Sequence, residues 1–355
     1  MLDTPGHTPE HITYTVGPAD ESVPKAIFTG GTLIIGDAAR TDLLGHDMSR
    51  PLAAQLYDSL LNKLMQYPDD VEVYPTHGAG SFCAGPVSSE RVTTIGLERT
   101  QNRLLKARNE DEFVELALSG LPSYPVYYSE MRAINQRGPR ILGGVPEPDP
   151  LEAAEVKALI DSGVAVLDIR SPAEFAAGHI PDSYGINIGT PVLVWAGWLI
   201  PFGTPLVLVT KNEADRQEAV RQLIRIGYDD IRGYLAGGMD AWAAAGYAIE
   251  EMPVLSLSDL HAQMQTEEAP FVLDVRQQNE WDLGHIPGAT LIENGRLAWD
   301  DLSLPTDRDI VVHCAHGARA AAGASVLAKR GYKNIVLAKG GFVKWQASKF
   351  EVAYD

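Results

Sequence analysis

Apolar and polar side chains alternate in Ile12-Thr13-Tyr14-Thr15-Val16. A period of two predicts a strand with one covered face. Later in the chain come short apolar runs without alternation: Val166-Leu167, Leu206-Val207-Leu208-Val209, Val272-Leu273 and Ile310-Val311-Val312. Such runs fit strands buried on both faces, as in a parallel sheet covered by helices. Helical segments separate them. The alanine-rich stretch from Ala320 to Lys329 is one, and it stops at Gly331, a usual C-terminal helix residue. Residues 87–140 read mostly as helix, with Asn109 and Glu112 as a capping pair ahead of Phe113 to Leu118. The predicted class is α/β.

The second part of the chain repeats itself. Val166-Leu167-Asp168-Ile169-Arg170 returns as Val272-Leu273-Asp274-Val275-Arg276, and Gly178-His179-Ile180-Pro181 as Gly284-His285-Ile286-Pro287, each 106 positions on (274 − 168; 284 − 178). Gly227-Tyr228 matches Gly331-Tyr332, and Gly237-Gly238-Met239-Asp240-Ala241-Trp242 matches Gly340-Gly341-Phe342-Val343-Lys344-Trp345. Each copy, about 105 residues of strands alternating with helices, predicts an α/β domain around a mainly parallel sheet. Gly138 to Pro150 is rich in Pro and Gly, lacks a period and reads as a linker. The expected domains are residues 1–140, 141–250 and 251–355.

Composition narrows the functions. The 355 residues carry a net charge of −18, which argues against a general nucleic-acid or anionic-membrane surface. Thr190 to Val209 is uncharged and about as long as a membrane span, but Pro191, Gly197, Pro201, Gly203 and Pro205 read it as helix, turn and buried strand. No charged region followed by an apolar one marks a signal peptide. The two cysteines, Cys83 and Cys314, make no disulfide framework, so a reducing cytoplasm is expected.

The candidate chemistry lies in Cys314-Ala315-His316-Gly317-Ala318-Arg319. The run Ile310 to Val312 brings Cys314 to a strand end, just before a helix whose N-terminal N–H groups and dipole favour negative charge. The thiolate is the reactive form of cysteine, and Arg319 adds fixed positive charge beside it. A buried structural cysteine explains neither the glycine nor the arginine. Aligned on Gly-Tyr, the first copy has Thr210 opposite Cys314 and an acid, Asp215, opposite Arg319. A threonine hydroxyl supplies no thiolate, so that copy is expected to be inactive and to shape its neighbour's cleft. The Asp-x-Arg pairs read as ion pairs fixing a strand end to the next loop, and His179 and His285 as turn histidines anchoring that loop.

The six-residue loop resembles the active-site loop of rhodaneses, which carry sulfane sulfur as a cysteine persulfide; phosphatase loops are one residue longer. Asp-x-Arg and Gly-His-Ile-Pro extend the resemblance to both copies. It implies that Cys314 is the nucleophile, that Ala315, His316, Gly317, Ala318 and Arg319 bind substrate, and that Asp274, Arg276 and His285 support the site. Residues 3–140 resemble the C-terminal half of a metallo-β-lactamase-fold protein of the persulfide dioxygenase and glyoxalase II kind, in motifs around His7 (Thr4-Pro5-Gly6-His7-Thr8) and His77 (Pro75-Thr76-His77-Gly78). That resemblance implies His7 and His77 as metal ligands for iron or zinc. The set is incomplete: Gly31 stands where the family has aspartate, and no His-x-His-x-Asp-His motif occurs. Asp37 lies nearby, at a position that is usually no ligand.

The expected architecture is thus a partial αββα metallo-β-lactamase domain followed by two rhodanese α/β domains with central parallel sheets. Half of a two-sheet sandwich leaves an apolar face bare. It should pair with another subunit as a homo-oligomer, be partly disordered, or belong to a longer protein. The expected function is sulfur transfer from thiosulfate or a small persulfide to a thiol or other thiophilic acceptor, with no cofactor and with neither nucleic acid nor membrane as partner. The alternatives are a metal-dependent persulfide dioxygenase or hydrolase and a non-enzymatic sulfur carrier.

Overall fold

The alternation at Ile12 to Val16 forms a strand, but with its apolar residues facing outwards. The computed structural model describes residues 1–20, 22–77, 90–119, 121 and 123–354. It forms two units, Met1–Tyr124 with Tyr128–Arg137, and Pro125–Tyr127 with Gly138–Asp355. In the first unit β1 (Leu2–Asp3), β2 (Ile12–Val16), β3 (Ala26–Gly30), β4 (Glu72–Pro75) and β5 (Thr93–Thr94) make one sheet in that order. β3 and β4 run parallel and the other neighbours antiparallel.

One face of this sheet is covered. Ile27 and Val73 pack in a core with Ala53 and Leu56 of the helix His46–Asp58 and Phe113 of the helix Glu110–Leu118. Asn109 caps the latter helix by accepting from the Glu112 N–H at 2.9 Å, as the sequence predicts. Thr13 is buried on the covered face, where its hydroxyl pairs with that of Thr4 at 3.0 Å. Ile12, Tyr14, Val16 and Phe28 are exposed on the other face, and Phe28 stacks on Tyr74. Burial of such a side chain contributes about 1.5–3 kcal/mol, which this face does not realise among the described residues. The half-sandwich expected from the sequence therefore has its bare apolar side.

In the second unit β6 (Pro150–Leu151), β7 (Ala165–Asp168), β8 (Tyr184–Gly185), β9 (Leu206–Val209) and β10 (Ile231–Leu235) form a sheet of order β6-β10-β9-β7-β8. The next repeat reproduces it with β11 (Val254–Ser256), β12 (Phe271–Asp274), β13 (Thr290–Leu291), β14 (Ile310–His313) and β15 (Ile335–Lys339), in the order β11-β15-β14-β12-β13. Every pairing in both sheets is parallel. From β12 the chain goes on to one side of the sheet, and from β14 to the other. The crevice beyond the ends of β12 and β14 is thus a topological switch point, where open α/β sheets bind ligands. β7 and β9 make the equivalent crevice in the first copy.

The copies pack on each other through the alanine-rich helix Ala318–Lys329, whose residues from Ala320 to Leu327 are all buried. Ser325 Oγ accepts the Gly185 N–H of the first copy at 3.0 Å and donates to the Ala322 carbonyl at 2.7 Å. Trp299 Nε1 donates to the Trp198 carbonyl at 2.6 Å. The uncharged run from Thr190 resolves into the helix Val192–Leu199, a turn and β9. Among the described residues no helix is long and apolar enough to cross a membrane.

Candidate active site

β14 is fully buried, and it delivers Cys314 to the switch point. The helix Ala318–Lys329 begins four residues later, with Gly317 as N-cap at φ 107, a value that favours glycine. This turn aims the Gly317 N–H at Cys314 Sγ, 3.0 Å away. Cys314 is 1% exposed, whereas His316 points out to solvent. The peptide after Gly340 clamps the loop: the N–H groups of Phe342 and Val343 donate to the carbonyls of Cys314 (2.8 Å) and Ala315 (3.2 Å).

Arg319 sits in the first helical turn. Its two terminal nitrogens donate to the Glu280 carboxylate at 2.5 and 2.6 Å, a two-pronged pair that fixes the guanidinium plane. Burial works against the Arg319 charge, but the Glu280 carboxylate and the Cys314 sulfur outweigh it and raise its pKa above the ordinary value. Burial likewise tends to raise Glu280, while Arg319 and the Gln277 N–H outweigh it and hold the carboxyl below its usual range.

Asp274 and Arg276 tie the surrounding loops together. Arg276 pairs with Asp274 through Nε (2.8 and 3.0 Å), donates to the carbonyls of Glu280 (3.1 Å) and Gly284 (2.9 Å), and lies 4.0 Å over the Phe342 ring. The His285 ring stacks on Trp281 at 3.6 Å in the turn that Arg276 holds. In the first copy His179 Nδ1 hydrogen-bonds the Phe175 carbonyl at 2.9 Å.

Three residues at the site carry no role in the sequence reading. Glu280 lies 39 positions from Arg319, and its only signal is the repeat, since Glu174 occupies the same place 106 positions earlier (280 − 174) and pairs with Lys211 at 2.9 Å. Gly341 packs directly on the loop, and a Cβ there would lie 2.3 Å from the Cys314 carbonyl oxygen. His313 is wholly buried, with Nε2 3.5 Å from Asp274, and burial lowers its pKa.

The first copy departs further from the second than the alignment on Gly-Tyr implies. β9 and β14 end 104 positions apart (313 − 209), but the helices that follow begin 105 apart (318 − 213). The first copy's loop is one residue shorter. Counted from the helix start, Ala214 and not Asp215 matches Arg319, and Asn212 replaces the Gly317 cap. Asp215 N–H is taken by the Asn212 side chain at 2.9 Å.

Glu280→Gln keeps the shape of the Arg319 partner and removes its charge. Sulfur-transfer efficiency with thiosulfate is expected to fall roughly tenfold, because a two-pronged ion pair becomes a weaker contact. Because the folded Glu280 pKa is depressed, its pairing stabilises above the ordinary glutamate range and is lost as pH falls through the lowered value. Urea midpoints of wild type and variant should therefore converge between about pH 7 and pH 3. A gap independent of pH would contradict the pairing.

The donors in the first unit do not fit the metal centre that its sequence resemblance implies. The His7 and His77 rings come within 5.8 Å, and His7 Nδ1 hydrogen-bonds the Arg40 carbonyl at 2.8 Å. His11 lies 6.3 Å from His7, but its Nδ1 engages Thr32 Oγ1 (2.8 Å) and its Nε2 accepts the Gly31 N–H (3.1 Å). Asp37 is tied to the Ala38 N–H (2.8 Å) and Arg103 (2.9 Å). A Cβ on Gly31 would meet the His7 ring at 2.7 Å, so an aspartate does not fit there without displacement. Among the described residues no three His, Cys, Asp or Glu side chains could hold a metal ion. Cys83 and Gly78 lie outside the described residues.

The rhodanese-like domain family matches residues 152–245 and 256–348, more than half of the chain, and the chain belongs to that family. More particularly, it joins two rhodanese-like domains to a region of metallo-β-lactamase fold. A solved metallo-beta-lactamase from Staphylococcus aureus subsp. aureus COL is similar at TM-score 0.54 and 28% identity over 66% of this chain, which spans 64% of that one. Among curated proteins, the thiosulfate sulfurtransferase GlpE of Pseudomonas fluorescens (strain SBW25) is 31% identical over 88 residues, 25% of this chain and 81% of its own length. The enzyme of the same name from Pseudoalteromonas translucida (strain TAC 125) is 29% identical over 89 residues, 25% of this chain and 85% of its own length. These likenesses support sulfur transfer as the general chemistry.

Proposed function

We propose that the chain moves a sulfane sulfur from thiosulfate or a small-molecule persulfide to a thiophilic acceptor through a persulfide on Cys314. The observation that carries this reading is the Gly317 N–H aimed at Cys314 Sγ at 3.0 Å, in a loop whose Arg319 is locked by Glu280. The Cys314 thiolate attacks the outer sulfur of thiosulfate. An Sγ–S bond forms, the S–S bond of the donor breaks, and sulfite leaves with the electron pair. An acceptor such as cyanide, sulfite or a thiol then attacks the outer sulfur and releases the Cys314 thiolate.

The loop N–H groups hold the sulfur anion through dipoles already in place before the reaction. Arg319 attracts the anionic donor, Asp274 and Arg276 keep the loops in register, and His285 supports that turn. His316, exposed within the loop, meets the acceptor. Neither step requires a metal or an organic cofactor. The first copy, with Thr210 at the position of Cys314, does not turn over.

Steady-state kinetics with thiosulfate and cyanide test this reading. Parallel double-reciprocal lines are expected for two successive displacements. Full single-turnover loading with negligible steady-state rate would instead make the chain a sulfur carrier.

A further inference from the structure

The first copy keeps a cavity that the reaction at Cys314 does not use. It has a volume of 440 Å³ and is lined by Glu174, Thr210, Lys211, Arg216, Tyr234 and Asp240, among others. That volume falls within the range of roughly 300–1,000 Å³ usual for small-molecule sites. The cavity exists because the loop after β9 is shorter and because Gly238 has open space around it, whereas its counterpart Gly341 abuts the Cys314 carbonyl.

Of the cations along its wall, two are paired with carboxylates and Arg216 is not, among the described residues. Lys211 is neutralised by Glu174 at 2.9 Å, and Arg170 by Asp168 at 2.5 Å. Arg216 lies flat on the Tyr234 ring, 3.8 Å from its centroid, and among the described residues has no carboxylate partner. Stacking of this kind fixes the guanidinium plane and leaves its N–H edge free to donate. Counted from the helix start, the equivalent of Arg216 in the second copy is Ala321, and the strand position of Tyr234 is held by Ala338. The stacked pair thus belongs to the first copy alone.

Thr210 supplies an independent observation. It is nine-tenths buried, it lines the cavity, and among the described residues its hydroxyl has no hydrogen-bond partner. The hydroxyl keeps access to solvent, so it can bond to a ligand in the cavity without giving up a protein partner.

We propose that this cavity binds a small organic monoanion, a carboxylate or sulfonate, whose head accepts from the Arg216 edge and the Thr210 hydroxyl. Glu174 and Asp240 in the same wall disfavour a second negative charge, which sets phosphate apart. The first copy is then a binding module that has lost its nucleophile and gained a cation of its own.

Calorimetric titration of the full chain with benzoate, methanesulfonate and inorganic phosphate tests this. Arg216→Ala, which installs the residue of the second copy, is expected to weaken both monoanions at least about tenfold. Thr210→Val, which keeps the shape and removes the hydroxyl, should weaken them roughly fivefold. Phosphate should bind about tenfold more weakly than the monoanions to wild type. If Arg216→Ala does not fold, Arg216→Lys keeps the charge without the two-pronged edge and should give an intermediate loss. Equal binding in wild type and the Arg216 variant, no binding of either monoanion, or phosphate as the tightest probe would each overturn the proposal. Sulfur transfer at Cys314 should stay within about twofold throughout, so this proposal and the sulfurtransferase reading fail separately.

Discussion

Cys314→Ser is expected to lower sulfur transfer from thiosulfate to cyanide by at least about 10³-fold. The hydroxyl has nearly the shape of the thiol and still receives the Gly317 N–H, so the loop should keep its geometry. What disappears is the anionic sulfur that attacks the donor and the S–S bond that stores the product. The unfolding free energy should move by no more than about 1 kcal/mol, because no large cavity and no unpaired polar group is created. Residual activity above about one tenth of wild type would place the chemistry elsewhere.

The second large effect is expected at a residue that touches no substrate. Gly341 has φ 120 and ψ −173, backbone angles that residues with a Cβ rarely adopt. A Cβ there would lie 2.3 Å from the Cys314 oxygen and 2.7 Å from the Ala315 oxygen, and both atoms are backbone. Gly341→Ala must therefore move the Cys314 loop or the turn that clamps it. A loss of about 2–4 kcal/mol in stability is expected, with turnover reduced at least about 100-fold. Gly331→Ala is the control. It also has positive φ (94) but nothing within 4 Å of the added carbon, so only the strain of about 1 kcal/mol should appear. Equal effects of the two substitutions would contradict the clamp.

The second repeat's candidate site is legible in the sequence because its signals are local. A buried apolar run, a cysteine, a glycine and an arginine within ten residues define a strand, a turn and a helix start without knowledge of the rest of the chain. The parallel sheets were legible from the unbroken runs and from the repeat. Partners brought together by tertiary packing were not legible in this way. Glu280 reads as an ordinary surface acid until the fold places it on Arg319, and Arg216 as an exposed helix residue until Tyr234 lies beneath it. The offset between the copies also misled the alignment. A register taken from Gly-Tyr cannot show that one residue is missing from the loop between β9 and its helix. In the first unit the alternating strand marks its two faces but not which is covered, and a hydroxyl pair between Thr4 and Thr13 lets the polar face turn inwards.

Sulfur transfer through Cys314 is tested most directly by intact-mass analysis of the full chain after incubation with thiosulfate, beside Cys314→Ser and followed by cyanide. One added sulfur atom that requires Cys314 and disappears with cyanide is the predicted result. No added sulfur, or sulfur that loads on Cys83 and persists in the Cys314→Ser chain, would contradict it.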